Sequence, residues 1–90
     1  MEIKKGKNCF FIGESEKNPL AIITYKPSGD NFIIADHTYV SDQLSGQGVG
    51  KRLLHELIES ARKENKKIIP QCSFVKAQME KNEEYRDLLG

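Results

Sequence analysis

The apolar residues of this chain change their spacing once, near position 48. Before it they come in short runs separated by turn residues; from Val49 to Ala61 they recur every three to four positions. Phe10, Phe11 and Ile12 give the segment 9–13 the aromatic and β-branched content of a strand. Lys17-Asn18-Pro19 reads as a turn, and Leu20 to Tyr25, rich in Ile and Thr, as a second strand. Lys26-Pro27-Ser28-Gly29-Asp30 predicts a reversal, with Pro and Gly where a turn uses them. Phe32 to Val40 reads as a third strand that stops before the polar Ser41-Asp42-Gln43. Three strands on short links predict an antiparallel meander.

Beyond the change of spacing, Val49, Leu53, Leu57 and Ala61 repeat at i+4, with Leu54 and Ile58 beside them. That single stripe predicts an amphipathic helix ending near Glu64 or Asn65. Lys67 to Gln71 reads as a strand, with Ile68 and Ile69 buried and Pro70 interrupting its ladder. A strand, a helix and a second strand in one sheet imply a right-handed parallel crossover. From Ser73 the chain reads as helical. Ser73 is the expected N-cap, and Phe74, Val75, Ala77 and Met79 supply apolar surface. Tyr85, Leu88 and Leu89 predict a last short helical segment. The expected class is α+β: a mixed sheet of about four main strands, from a meander followed by a βαβ crossover.

Size and composition narrow the functions available. Ninety residues predict one compact domain spanning 1–90, burying roughly 60–65% of its unfolded-chain surface. A formal net charge of +1 gives no electrostatic case for nucleic acid or an anionic membrane as partner. No apolar run approaches the roughly 20 residues of a membrane span, and no signal-peptide core is visible. Cys9 and Cys72 are too few for a disulfide framework and lack zinc-ligand spacing. A reduced, cytoplasmic setting without a metal is the expectation.

The chemistry suggested by the chain centres on Leu44-Ser45-Gly46-Gln47-Gly48-Val49-Gly50-Lys51, where three alternate glycines run into the long helix. Glycine reaches positive φ and lets a ligand approach the backbone closely. A helix starting there points unpaired amides and the positive end of its dipole outward, which suits a phosphate. A Walker A loop ending at Gly50-Lys51 would need Gly at position 45 and Ser or Thr at 52; the chain has Ser45 and Arg52. A dinucleotide fingerprint would need Gly at 51 or at 53; the chain has Lys51 and Leu53. Pyrophosphate binding of another type, or a turn that merely starts a helix, is left.

Here the chain resembles the GNAT N-acetyltransferase superfamily. Its motif A, Arg/Gln-x-x-Gly-x-Gly/Ala, runs from Ser45 to Gly50, with Ser45 in place of the usual Arg or Gln. The resemblance extends to Asp36-His37-Thr38-Tyr39-Val40, to Lys67 through Val75 with its Pro70-Gln71-Cys72, and to Asn82 through Leu89. Together these are similar to the compact YjdJ-type group. The resemblance implies a truncated GNAT fold lacking elements that build an acceptor pocket in larger members. It implies acetyl-CoA as acetyl donor and an amine as acceptor, on a small molecule or a protein. Leu44 to Lys51 would wrap the coenzyme pyrophosphate, and the Val40 backbone would pair with the pantetheine arm. Cys72, at the end of the opposing strand, would lie near the thioester.

Three side chains are then catalytic candidates. Cys72 could accept the acetyl group or shape the channel, or be a small buried hydrophobe. His37 could act as a general base, as an imidazole can, or simply hold its strand. Tyr85 could donate a proton to the leaving thiolate, or pack with Leu88 and Leu89. His55, mid-helix among leucines, reads as a packing or solvated residue. Two further functions remain open beside transfer: a module that binds acetyl-CoA without efficient transfer, and acyl chemistry at Cys72 itself.

Overall fold

The computed structural model describes residues 2–90. One five-stranded sheet runs in the order β1 (Lys4–Gly6), β2 (Cys9–Gly13), β3 (Pro19–Ser28), β4 (Phe32–Val40), β5 (Lys67–Pro70). The first four strands are successively antiparallel, and β5 lies parallel to β4 after helix α1 (Val49–Lys63). Two short helices complete the chain, α2 (Ser73–Lys81) and α3 (Glu83–Arg86). This is the expected mixed sheet, meander first and βαβ unit second. The addition is β1, whose Lys4-Lys5-Gly6 carries no apolar alternation. It forms an edge strand, where lysines discourage pairing with other chains.

The apolar stripe of α1 is wholly buried: Val49, Leu53, Leu54, Leu57, Ile58 and Ala61. It meets Phe10, Ala21, Ile23, Ile33, Ala35 and Ile68 on one sheet face, and Val75, Met79 and Leu88 from the C-terminal segment. Full burial of each Leu or Ile side chain contributes roughly 1.5–3 kcal/mol. The helix ends where expected. Asn65 takes a left-handed φ of 56°, and the Lys66 amide donates to the Ala61 carbonyl at 2.9 Å. Asn tolerates that conformation and closes the helix.

Three local expectations need correction. The reversal between β3 and β4 is confined to residues 29–31, because Pro27 and Ser28 belong to β3 and pair with Ile33 and Phe32. Pro27 is tolerated because Tyr25, two residues before it, turns its amide to Asn8 rather than to β4. The missing donor of Pro27 therefore falls on the side where β2 has already ended. The N-cap of α2 is Cys72, not Ser73: Cys72 is extended (φ −75°, ψ 129°), and its carbonyl accepts from the Lys76 amide at 3.0 Å. Ile69 is half-buried rather than buried; Ile68 is fully buried.

Two irregularities shape the far half of β4. Thr24 pairs with His37 but Tyr25 pairs with Ala35, so Asp36 is an extra residue, a β-bulge. Its carboxylate accepts from the Thr24 hydroxyl at 2.6 Å. The bulge shifts the alternation of the strand. Ile33 and Ala35 are buried before it; after it Thr38 and Val40, opposite the buried Ile23 and Ala21, share the helix side. The second irregularity is a splay. The parallel ladder ends at Ala35 and Pro70, and the Ala35 carbonyl accepts from both the Gln71 and Cys72 amides at 3.0 Å. Beyond that point β5 leaves and β4 continues to Val40 alone.

Candidate functional site

The splay opens a cleft of about 380 Å³ between the far half of β4 and the start of α1. It is lined by Thr38 and Val40 of β4, Leu44, Ser45, Gly46 and Gly48 of the loop, Val49, Gly50 and Lys51 of α1, and Phe74 of α2. Eight of the nine residues expected to hold cofactor line it; Gln47 does not. The amide of Ser41 donates to the Leu20 carbonyl on β3. Strand alternation therefore turns the backbone groups of Thr38 and Val40 toward the open side.

The loop leaves the first amides of α1 without partners. Residues 42–44 form a 3₁₀ turn whose start is capped by the Ser41 hydroxyl, accepting from the Gln43 amide at 3.2 Å. The Ser45 hydroxyl donates back to the Asp42 carbonyl. Gly46 and Gly48 have φ of 78° and 70°, with open space where a Cβ would stand. Their glycine identity answers to conformation. Gly50 answers to packing: a Cβ there would lie 3.1 Å from Cζ of Phe74. The first bond of α1 runs from the Arg52 amide to the Gly48 carbonyl at 3.1 Å. The amides of Val49, Gly50 and Lys51 are thus without intrahelical acceptors. The first turn has no acidic residue and holds Lys51 and Arg52 instead. Cations at that end oppose the helix dipole by about 0.3–1 kcal/mol each at an exposed surface. A bound anion would remove that penalty.

Cys72 stands beside the cleft, its Sγ 3.6 Å from the Thr38 hydroxyl. Partial burial opposes the thiolate and is the largest single effect. It is outweighed by the Val75 amide, the Thr38 hydroxyl, and the Phe74 and Thr38 amides, so the thiol is held below its ordinary range. None of the α2 amides makes a full cap hydrogen bond with the side chain; they act through proximity at the helix start. Cys9 is the contrast. Burial and the carboxylate of Glu16, 3.6 Å from its sulfur, push it up.

The other two candidates stand elsewhere. His37 is exposed and pairs with Thr24, on the sheet face away from Thr38 and Val40. The bulge at Asp36 puts it there; an unbroken alternation from Ala35 would have turned it toward the cleft. Tyr85 of α3 lines a separate hollow of about 160 Å³ with Lys51, Leu54 and Gln78, and its hydroxyl lies 3.3 Å from Nδ1 of His55. Burial, Glu84 and Glu59 push its phenol up, against Arg62. Thr38 and Phe74 join the site without having been expected there. Thr38 could have been found, since it shares the parity of Val40 along β4. Phe74 has no local signal, because its place depends on the absence of a side chain at Gly50.

The family profile for GCN5-related N-acetyl-transferase matches residues 9–88. A loop that frees helix-start amides, followed by a splayed parallel pair, is thus found in a chain that belongs to the GCN5-related N-acetyltransferase family. A GCN5-like protein from Staphylococcus aureus, whose solution structure was determined by NMR, is 53% identical. It superposes with a TM-score of 0.84, over 99% of this chain and 87% of that one. A GNAT family acetyltransferase from Elizabethkingia anophelis, crystallised with acetyl-CoA bound, shares the fold at 14% identity and a TM-score of 0.59. That match covers 81% of this chain and 50% of the other. No curated protein matches the chain.

Proposed function

We propose that this protein binds acetyl-CoA and transfers the acetyl group to an amine. The observation that carries the reading is the cleft itself. Free amides of Val49, Gly50 and Lys51 stand at one side, an unpaired strand backbone at another, and a thiol held below its ordinary range beside them. In this reading Gly46 and Gly48 bring the backbone close to the pyrophosphate, with Leu44, Ser45 and Gln47 completing the loop. The backbone groups of Thr38 and Val40 hydrogen-bond the amides of the pantetheine arm, as a neighbouring strand would. The GNAT relative from Elizabethkingia anophelis, with acetyl-CoA bound, supports the choice of ligand.

Transfer needs a neutral amine to attack the thioester carbonyl. The new C–N bond forms, the C–S bond breaks, the coenzyme leaves as thiolate, and the amine proton passes to solvent. His37 and Tyr85 stand outside the cleft, so neither is assigned a step. A second reading is favoured by the environment of Cys72. Its thiolate attacks the thioester carbonyl, the coenzyme thiolate leaves, and an acetyl-cysteine passes its acetyl group to the amine.

Thermal unfolding with acetyl-CoA tests binding. At a hundredfold excess over Kd the protein gains about 2.7 kcal/mol. A midpoint unmoved by saturating acetyl-CoA overturns the reading. Intact-mass analysis after incubation separates the routes. An acetyl adduct lost in Cys72→Ala supports the cysteine route, and turnover on an amine panel that survives this change supports direct transfer. Stabilisation without turnover in any assay leaves a binding module.

A further inference from the structure

A second recess lies at the other end of α1, away from the glycine loop. It has a volume of about 320 Å³ and sits between the β1–β2 turn, β3 and the last turns of α1. Its floor is apolar: Ile33, Leu57 and Ala61, with Pro27 at the side. Its rim carries Lys5, Lys7, Asn8, Tyr25 and Ser60. None of these five side chains makes a hydrogen bond or ion pair among the described residues. The remaining two charged residues, Lys66 and Glu64, pair with each other at 3.3 Å. Two lysines therefore line one apolar hollow together with a phenol, a hydroxyl and an amide; the Lys7 ammonium is free, and that of Lys5 lies 6.0 Å from the centre of the Phe10 ring. A few polar groups placed over an apolar floor are the usual make-up of a small-molecule pocket.

We propose that this recess binds a small organic carboxylate. Its apolar body rests on Ile33, Leu57 and Ala61, and its carboxylate is held by Lys5 and Lys7. Tyr25 and Ser60 donate to a second polar group where the ligand has one. Burial and the Glu64 carboxylate hold the Tyr25 phenol protonated, so it serves as a donor. Charge selects against cations here, because Lys5, Lys7 and Lys66 outweigh the Glu64 carboxylate on the rim. From Lys51 to Ser60 the helix rises roughly 13 Å, so this ligand does not share the cleft. Binding is independent of the acetyl-CoA reading.

The test is an amide-resolved NMR titration of the full chain with hexanoate and benzoate, each beside its neutral amide. Saturable shifts are expected at Lys7, Asn8, Ser60 and Glu64 with the acids and not with hexanamide or benzamide. They should persist in the presence of coenzyme A. The double change Lys5→Gln with Lys7→Gln alters exposed residues and should weaken binding about tenfold; Ser60→Phe should block it by filling the hollow. Three results overturn the proposal: no saturable shift up to about 10 mM acid, equal shifts with the amides, or unchanged affinity in the double variant.

Discussion

Replacing Gly48 isolates the conformational demand of the loop. The residue has φ of 70° and ψ of 22°, and a Cβ there would meet nothing within 4 Å. Gly48→Ala therefore creates no clash, and its whole effect comes from the backbone. An L-residue in the left-handed region costs roughly 1–2 kcal/mol. The alanine chain loses less entropy on folding, which returns about 0.4–1 kcal/mol. The net loss is about 1 kcal/mol, which in a domain of this size lowers Tm by about 4–8 °C. Gly48→Asn should recover most of it, since Asn tolerates the left-handed region and its side chain can cap the helix. Scanning calorimetry of the three proteins without ligand measures the series. An alanine variant as stable as the parent, or an asparagine variant no better than alanine, would refute the conformational argument.

Two further outcomes are expected at the site. Gly50→Ala should be close to neutral, because about 0.8–1 kcal/mol of helix propensity is offset by the Phe74 ring 3.1 Å from the new methyl. Combined with Phe74→Leu the gain should appear, as coupling of about 0.5–1 kcal/mol in a double-mutant cycle; strict additivity would mean that the ring does not dictate this glycine. Cys72, held low, should be alkylated by iodoacetamide at a lower pH than Cys9, which is pushed up. The pH–rate midpoint of Cys72 should lie below that of a free cysteine and rise in Thr38→Val, as followed by peptide mass mapping. A midpoint at or above the free-cysteine value would contradict the role given to the surrounding amides.

Much of the fold was legible because its signals are local. The stripe Val49 to Ala61 and the bounds of Phe32–Val40 come from spacing and turn residues alone. The β1 strand was not legible, since three polar edge residues show no alternation. The glycine loop was readable as the start of a helix, but the separate reasons for Gly48 and Gly50 were not. One is a torsion angle and the other a neighbour 24 residues away. His37 shows the same limit. Alternation from the buried Ala35 places it with the cleft, and the single unpaired Asp36 turns it to the opposite face. A bulge leaves no mark in the hydrophobic pattern of one strand, because it arises from the register between two.

The splay between β4 and β5 has a consequence for what can pair with the open strand. An exposed strand edge normally recruits another chain. Here the unpaired stretch of β4 lies inside the sheet and is blind at one end, where Ala35 takes the amides of both Gln71 and Cys72. From Asp36 to Val40 it offers five residues, roughly 16 Å of backbone. A foreign strand could pair along this stretch but could not extend past Ala35. A slender extended molecule of matching length, with amides of its own, meets no such stop. If the proposed reading holds, the seam suits a partner of about that length, and binding covers the backbone that is otherwise exposed.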